Sequence, residues 1–168
     1  MSRGGGAARR RQVAVIGSGR CEEGSDALRL AEEVGRRLAE AGATVVCGGL
    51  GGVMEAAARG AAGAGGEVIG ILPTSELADA NRHCSHVVAT GIGHGRNLAV
   101  VSSGEAVIAI GGEWGTLSEI GFARAIGRPV VALRSWTLRG EGAMESAPGV
   151  AAVETPEEAV SAALATIG

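Results

Sequence analysis

The sequence predicts a Rossmann-like α/β fold, a doubly wound parallel sheet with helices on both faces. Three observations carry this expectation. Short apolar, β-branched runs alternate with helical stripes along the whole chain. The runs are near-continuously apolar, as in strands covered on both sides. Glycine-bearing segments, 17–19, 48–52, 91–95 and 111–115, all fall at strand C-termini. Open α/β sheets bind ligands at that edge, where strand order reverses. Each segment alone could be a simple turn; all of them on one edge favour a ligand crevice.

Taken in order, residues 12–16 form the first strand, followed by Gly17-Ser18-Gly19. Ser25-Asp26 offers an N-cap to a helix over 27–41, with Leu30, Ala31, Val34 and Leu38 as its apolar stripe and Gly42 as its stop. Residues 44–47 form strand two and run into Gly48-Gly49-Leu50-Gly51-Gly52, where an alanine-rich helix over 53–62 begins. Strand three spans 67–72, closed by Pro73. A polar loop at 74–82 precedes a short strand at 86–89, and 91–95 lead into a helix from Arg96 to about Ser103. A strand at 105–110, a helix at 116–126 and a strand at 129–133 follow. Residues 134–148 read as irregular loop, 150–153 as a weak last strand and 156–167 as a closing helix. Thr155-Pro156-Glu157-Glu158 reads as a capping box with Pro at N1, a purely structural signal.

A chain of 168 residues suffices for one domain with a full core, here expected over 12–168. Residues 1–11 are basic and glycine-rich without an apolar h-region, so they read as a disordered tail rather than a secretory signal. The cytoplasm is the default address. With a formal net charge of −3 there is no basic footprint, and no nucleic-acid partner is expected. No apolar run approaches the roughly 18 residues that a membrane span needs. All 15 basic residues are arginine. The missing lysine excludes Schiff-base pyridoxal chemistry and a Walker A loop. Phosphate recognition is therefore left to arginine, hydroxyls and backbone N–H groups. The three cysteines, Cys21, Cys47 and Cys84, are odd in number and widely spaced, which implies neither a disulfide framework nor a zinc site. Cys47 reads as core, and the His83, Cys84, His86 cluster lacks a fourth ligand. No metal and no resident cofactor are expected.

The chemistry concentrates in Gly111-Gly112-Glu113-Trp114-Gly115-Thr116-Leu117-Ser118-Glu119. A strand, glycines and a helix start build an anion cradle: glycine lets the backbone approach a phosphate, and the helix start adds free N–H donors. Glu119 then places a carboxylate near the bound anion. The structural alternative is a capping box, Thr116-x-x-Glu119, in which Glu119 only satisfies the N-cap. A dinucleotide fits poorly, because the first loop lacks the third glycine of G-x-G-x-x-G and strand two ends in Cys47-Gly48 without an acid for a ribose hydroxyl.

Three spaced motifs resemble the LOG family of cytokinin-activating phosphoribohydrolases, often misnamed lysine decarboxylases. Gly111-Gly112-Glu113-Trp114-Gly115-Thr116-Leu117-Ser118-Glu119 resembles its PGGxGTxxE motif. Gly48-Gly49-Leu50-Gly51-Gly52-Val53-Met54-Glu55 resembles its second glycine loop, and Gly93-His94-Gly95-Arg96-Asn97 falls where the family has MxxRK. Ile110 replaces the family's proline, Gly93 its methionine and Asn97 its lysine. These departures bring the chain closer to a side branch similar to molybdenum-cofactor carrier proteins.

The family resemblance implies hydrolysis of the N-glycosidic bond of a nucleoside 5′-monophosphate, with Glu119 and Arg96 catalytic. Gly17, Ser18, Gly48, Gly49, Asn97, Gly111, Gly112, Trp114, Gly115 and Thr116 would hold the phosphate or nucleotide. The side branch implies instead a non-catalytic carrier or sensor of a phosphorylated cofactor or nucleotide. Trp114, one of three aromatic residues, reads as a partly exposed lid or as a plug against a neighbouring subunit. Leu98, Ala99, Val100 and Val101 in succession exceed what one helix face can bury on its own sheet, so a homodimer or higher homo-oligomer is expected. LOG-like proteins use this region as an interface.

Overall fold

A computed structural model describes residues 9–139 and 147–167. Seven strands form one all-parallel sheet: β1 (Gln12–Gly17), β2 (Thr44–Cys47), β3 (Val68–Leu72), β4 (His86–Ala89), β5 (Ala106–Ile110), β6 (Val130–Leu133) and β7 (Val150–Val153). Their order is β4-β3-β2-β1-β5-β6-β7. The chain winds outward from β1 to β4, then returns to β5 on the other side of β1. The switch point therefore lies between β1 and β5, where a crevice opens at the C-terminal edge.

Helices α1 (Asp26–Glu40), α2 (Val53–Gly63) and α5 (Pro156–Ala165) cover one face; α3 (Arg96–Ser103) and α4 (Trp114–Ala125) cover the other. Alternation within β1 shows why the strands are continuously apolar. Val13 and Val15 pack under α1 and α2, while Ala14 and Ile16 pack with Val100 and Val101 of α3 and Ile120 of α4. Both sets are buried. The outer strands β4 and β7 have exposed positions, as edge strands do.

Local signals and structure differ at two helix starts. Ser25 occupies the N-cap of α1 but makes no capping hydrogen bond, and its Oγ is buried without a partner. The helix expected to start at Thr116 starts at Trp114, with Glu113 as N-cap. The expected box over Thr155–Glu158 is present: Thr155 Oγ1 accepts from Glu158 N at 3.2 Å, and Glu158 Oε2 accepts from Thr155 N at 3.1 Å. Of the expected tail, residues 1–8 lie outside the described residues. Arg9 and Arg10 reach back to Glu105 (3.3 Å) and Glu67 (3.7 Å).

Candidate anion-binding site at the switch point

Three close approaches shape the crevice. Gly17 pairs with Ile110 across β1 and β5, and a Cβ there would sit 2.7 Å from both Ile110 O and Val53 Cγ1. The strand ends and the start of α2 can converge only on a glycine. Val53 N donates to Ser18 O at 2.9 Å, which clips the first loop to α2. A Cβ on Gly48 would strike Met54 Sδ and approach Arg96 Nη2 to 2.8 Å, so the bare backbone makes room for the guanidinium.

Arg96 opens α3 after a 3₁₀ turn at Gly93–Gly95 and is only 8% exposed. Its Nη2 donates to Gly48 O at 3.2 Å and its Nη1 to Asn97 Oδ1, while Nε is buried without a partner. Burial lowers its pKa and the charge of Glu119 raises it. An arginine remains charged under such shifts. The result is a buried cation with one nitrogen unpartnered, which is costly unless an anion compensates the charge.

Glu119 is also 8% exposed and lines the same cavity. Burial pushes its carboxyl up to about 7, and Arg96 restrains the rise. Because α4 starts at Trp114, Glu119 lies in the second turn and Thr116 inside the first, so the capping-box alternative does not apply. The N–H groups of Trp114, Gly115 and Thr116 precede the first helical acceptor pair, Leu117 N to Glu113 O, and are available to a ligand.

The raised Glu119 pKa has a consequence for stability. The native carboxyl holds its proton more tightly than the unfolded one, so the contribution is full below about 4.5. It is lost as pH rises to about 7. The expected loss is about 3 kcal/mol, from roughly 1.4 kcal/mol per pKa unit. Urea unfolding at pH 5 and pH 8 should show wild type losing about that much relative to Glu119→Gln. Parallel pH profiles for the two proteins would contradict a buried, shifted carboxyl.

The cavity measures about 210 Å³ and brings together Gly17, Ser18, Gly48, Arg96, Asn97, Gly115, Thr116 and Glu119 of the expected set. Four expected residues stand beside it. Gly49, at φ +75°, packs against Gly70 and accepts Asn81 N at 2.8 Å. Gly111 (φ +58°) and Gly112 (φ +136°) make the left-handed turn into α4 and border a separate cleft. Trp114 is 76% exposed and leans on Trp136, with ring centroids 5.2 Å apart. Gly19, Met54, His94 and Glu113 line the cavity without having been anticipated. Their signal was adjacency, since each lies inside or next to a nominated loop. Glu113 Oε1 accepts from Ser18 Oγ at 3.2 Å and so bridges the first and last glycine loops. Among the described residues, no group of three His, Cys, Asp or Glu stands where it could hold a metal, so the His83, Cys84, His86 cluster does not assemble one.

The comparisons agree with this architecture. Residues 10–160 match the family model described as SLOG cluster4. An uncharacterised protein from Archaeoglobus fulgidus is 41% identical over 150 residues, covering 89% of this chain and 92% of its own. A solved structure described as the molybdenum cofactor binding protein of Rippkaea orientalis superposes with a TM-score of 0.84 at 30% identity, covering 96% of this chain and all of that one. The molybdenum cofactor carrier protein of Chlamydomonas reinhardtii superposes at 0.83 with 27% identity, covering 95% and 99%. With its family match running from β1 to α5 over a LOG-like fold, the chain belongs to the SLOG cluster4 family.

Proposed function

We propose that this protein binds a phosphorylated small molecule, nucleotide-like or pterin-like, at the switch-point cavity and holds it as a carrier. The observation that carries this reading is Arg96, a buried cation that lines a cavity bounded by the open N-terminus of α4. A phosphate there would complete the arginine and the free N–H groups together. Asn97, in place of the lysine of MxxRK, and the likeness to proteins described as molybdenum cofactor binders and carriers support retention over turnover. The phosphorylated cofactor would be cargo here. The cytoplasm suits such a role, and among the described residues no helix is long and apolar enough to cross a membrane.

A second reading, hydrolysis of a nucleoside 5′-monophosphate to base and ribose 5-phosphate, is favoured by Glu119. A carboxyl near 7 can take a proton from water, and its anion can stabilise an oxocarbenium-like sugar. Incubation with AMP, CMP, GMP and UMP, followed by chromatography for free base, separates the readings. Binding without base release is the expected result. Base release by wild type that disappears in Glu119→Gln would establish the hydrolase instead.

The protein is further proposed to be a homodimer or higher homo-oligomer through the α3/α4 face. Val100 and Val101 are buried, but Leu98 is 42% exposed, and Phe122 on α4 and Ile126 at its C-cap, one turn apart, are 45% and 43% exposed. Light scattering should give at least twice the 16.6 kDa chain mass, and Phe122→Asp should reduce it to one chain. A wild-type monomer at micromolar concentration would refute this.

A further inference from the structure

We infer that Trp114 and Trp136 form a stacking subsite for the planar heteroaromatic ring of the same ligand, a deepening that rests on the phosphate-binding reading above. Two of the three aromatic residues in the chain meet at one place, the C-terminal edge beside the cavity. Trp114 is flanked in sequence by Glu113 and Gly115, both of which line the cavity. Its indole has one side against Trp136, tilted by 38°, and is otherwise 76% exposed.

Trp136 is a fixed support. Arg134 is the one non-glycine residue with positive φ among the described residues, at 46°. That turn brings the following residues back over the glycine loop, where Ser135 Oγ donates to Gly111 O and Trp136 Nε1 donates to Glu113 O at 3.3 Å. The strained turn is thus held by bonds to the loop that makes the anion cradle. A cleft of about 340 Å³ opens between Gly111, Gly112 and Trp136. Arg134, Ser135 and Thr137 complete its lining, and the two glycines add no side chains to it. Trp114 is the first residue of α4, so a ring attached to a phosphate at that helix start has an exposed indole beside it, and an exposed indole face binds a purine or pterin by stacking. Guanine and pterin share the 2-amino-4-oxopyrimidine ring, so GMP is a suitable probe.

The test is calorimetric titration with GMP and with ribose 5-phosphate, which keeps the phosphate and lacks the ring. Wild type should bind GMP at least tenfold more tightly than ribose 5-phosphate. Trp114→Ala should lose roughly tenfold in GMP affinity, as expected for removing one stacked base, with ribose 5-phosphate unchanged. Trp114→Phe should restore part of the gap. In Trp136→Phe, Trp114 is the sole indole, and GMP should quench its fluorescence. Equal wild-type affinity for the two ligands, or a Trp114→Ala variant that keeps the gap, would overturn the subsite while the phosphate reading stands. The latter result would point to an indole that plugs against a second copy. No binding of either ligand would overturn both.

Discussion

Arg96→Met should bind GMP roughly 100-fold more weakly than wild type while remaining folded. The guanidinium is buried at the cavity, and the phosphate would receive from it a charge-assisted hydrogen bond shielded from water. Removing such a bond costs about 2–3 kcal/mol, which is the stated factor. Methionine keeps an unbranched apolar stem in place of arginine's, so the loss falls on the guanidinium and its charge. The fold itself should change by no more than about 1–2 kcal/mol, since the hydrogen bonds to Gly48 O and Asn97 Oδ1 disappear together with the burden of burying a cation. Calorimetric titration with GMP, paired with thermal melts, separates the effects. Unchanged affinity would place the phosphate away from Arg96 and remove the main support for the site. Glu119→Gln should do the opposite in a carrier, tightening GMP binding, because it removes a negative charge beside the bound phosphate. In a hydrolase it would instead slow base release a hundredfold or more, corresponding to about 3–4 kcal/mol in the barrier.

Gly60→Ala should destabilise the protein by roughly 2–3 kcal/mol, although alanine is the better helix former. Helices α1 and α2 meet backbone to backbone at Gly35 and Gly60. A Cβ on Gly60 would overlap Glu32 O, and one on Gly35 would overlap Ala57 O. Neither oxygen can move aside like a flexible side chain, so the helices must part, and the overpacking lies at or above the top of its usual range, about 3–4 kcal/mol. The cost should exceed the helix-propensity gain of at most ~1 kcal/mol. A melting temperature lower by about 4–10 °C follows for a chain of this size. Gly63→Ala, on the same helix with nothing near the added carbon, is the control and should be neutral or slightly stabilising. If Gly60→Ala melts at or above wild type, the close crossing is not what makes glycine necessary there. Gly35→Ala combined with Gly60→Ala should cost less than the sum, because the first substitution already separates the helices.

Much of this molecule is legible in local sequence. The alternation of apolar runs and helical stripes sets the order of strands and helices, because a strand buried on both faces has to be apolar throughout. The box at Thr155–Glu158 forms as read, since its bonds span only three residues. The glycine loops fall at strand ends for the same local reason, and the motif containing Glu119 stands out by composition, whereas Arg96 is singled out by the resemblance of its motif to MxxRK.

What only the tertiary structure decides depends on groups far apart in sequence. Thr116-x-x-Glu119 looks like a cap, yet α4 begins at Trp114, because Gly111 and Gly112 turn the chain through positive φ and bring Glu113 to the N-cap. Ser25 has the right chemistry at the right position and still caps nothing. Gly35 and Gly60 read locally as weak points within helices, and become the contact that lets two backbones touch. Gly111, Gly112 and Gly49 belong to ligand-like motifs and stand beside the cavity, at turns and packing contacts, whereas Met54, His94 and Glu113 line it. Glu119 has an elevated pKa because neighbours distant in sequence remove its water. Periodicity and turn chemistry act over a few residues and can be read along the chain. Desolvation, close approach and cavity shape arise only when β1, β2, β5, α3 and α4 converge on one point in space.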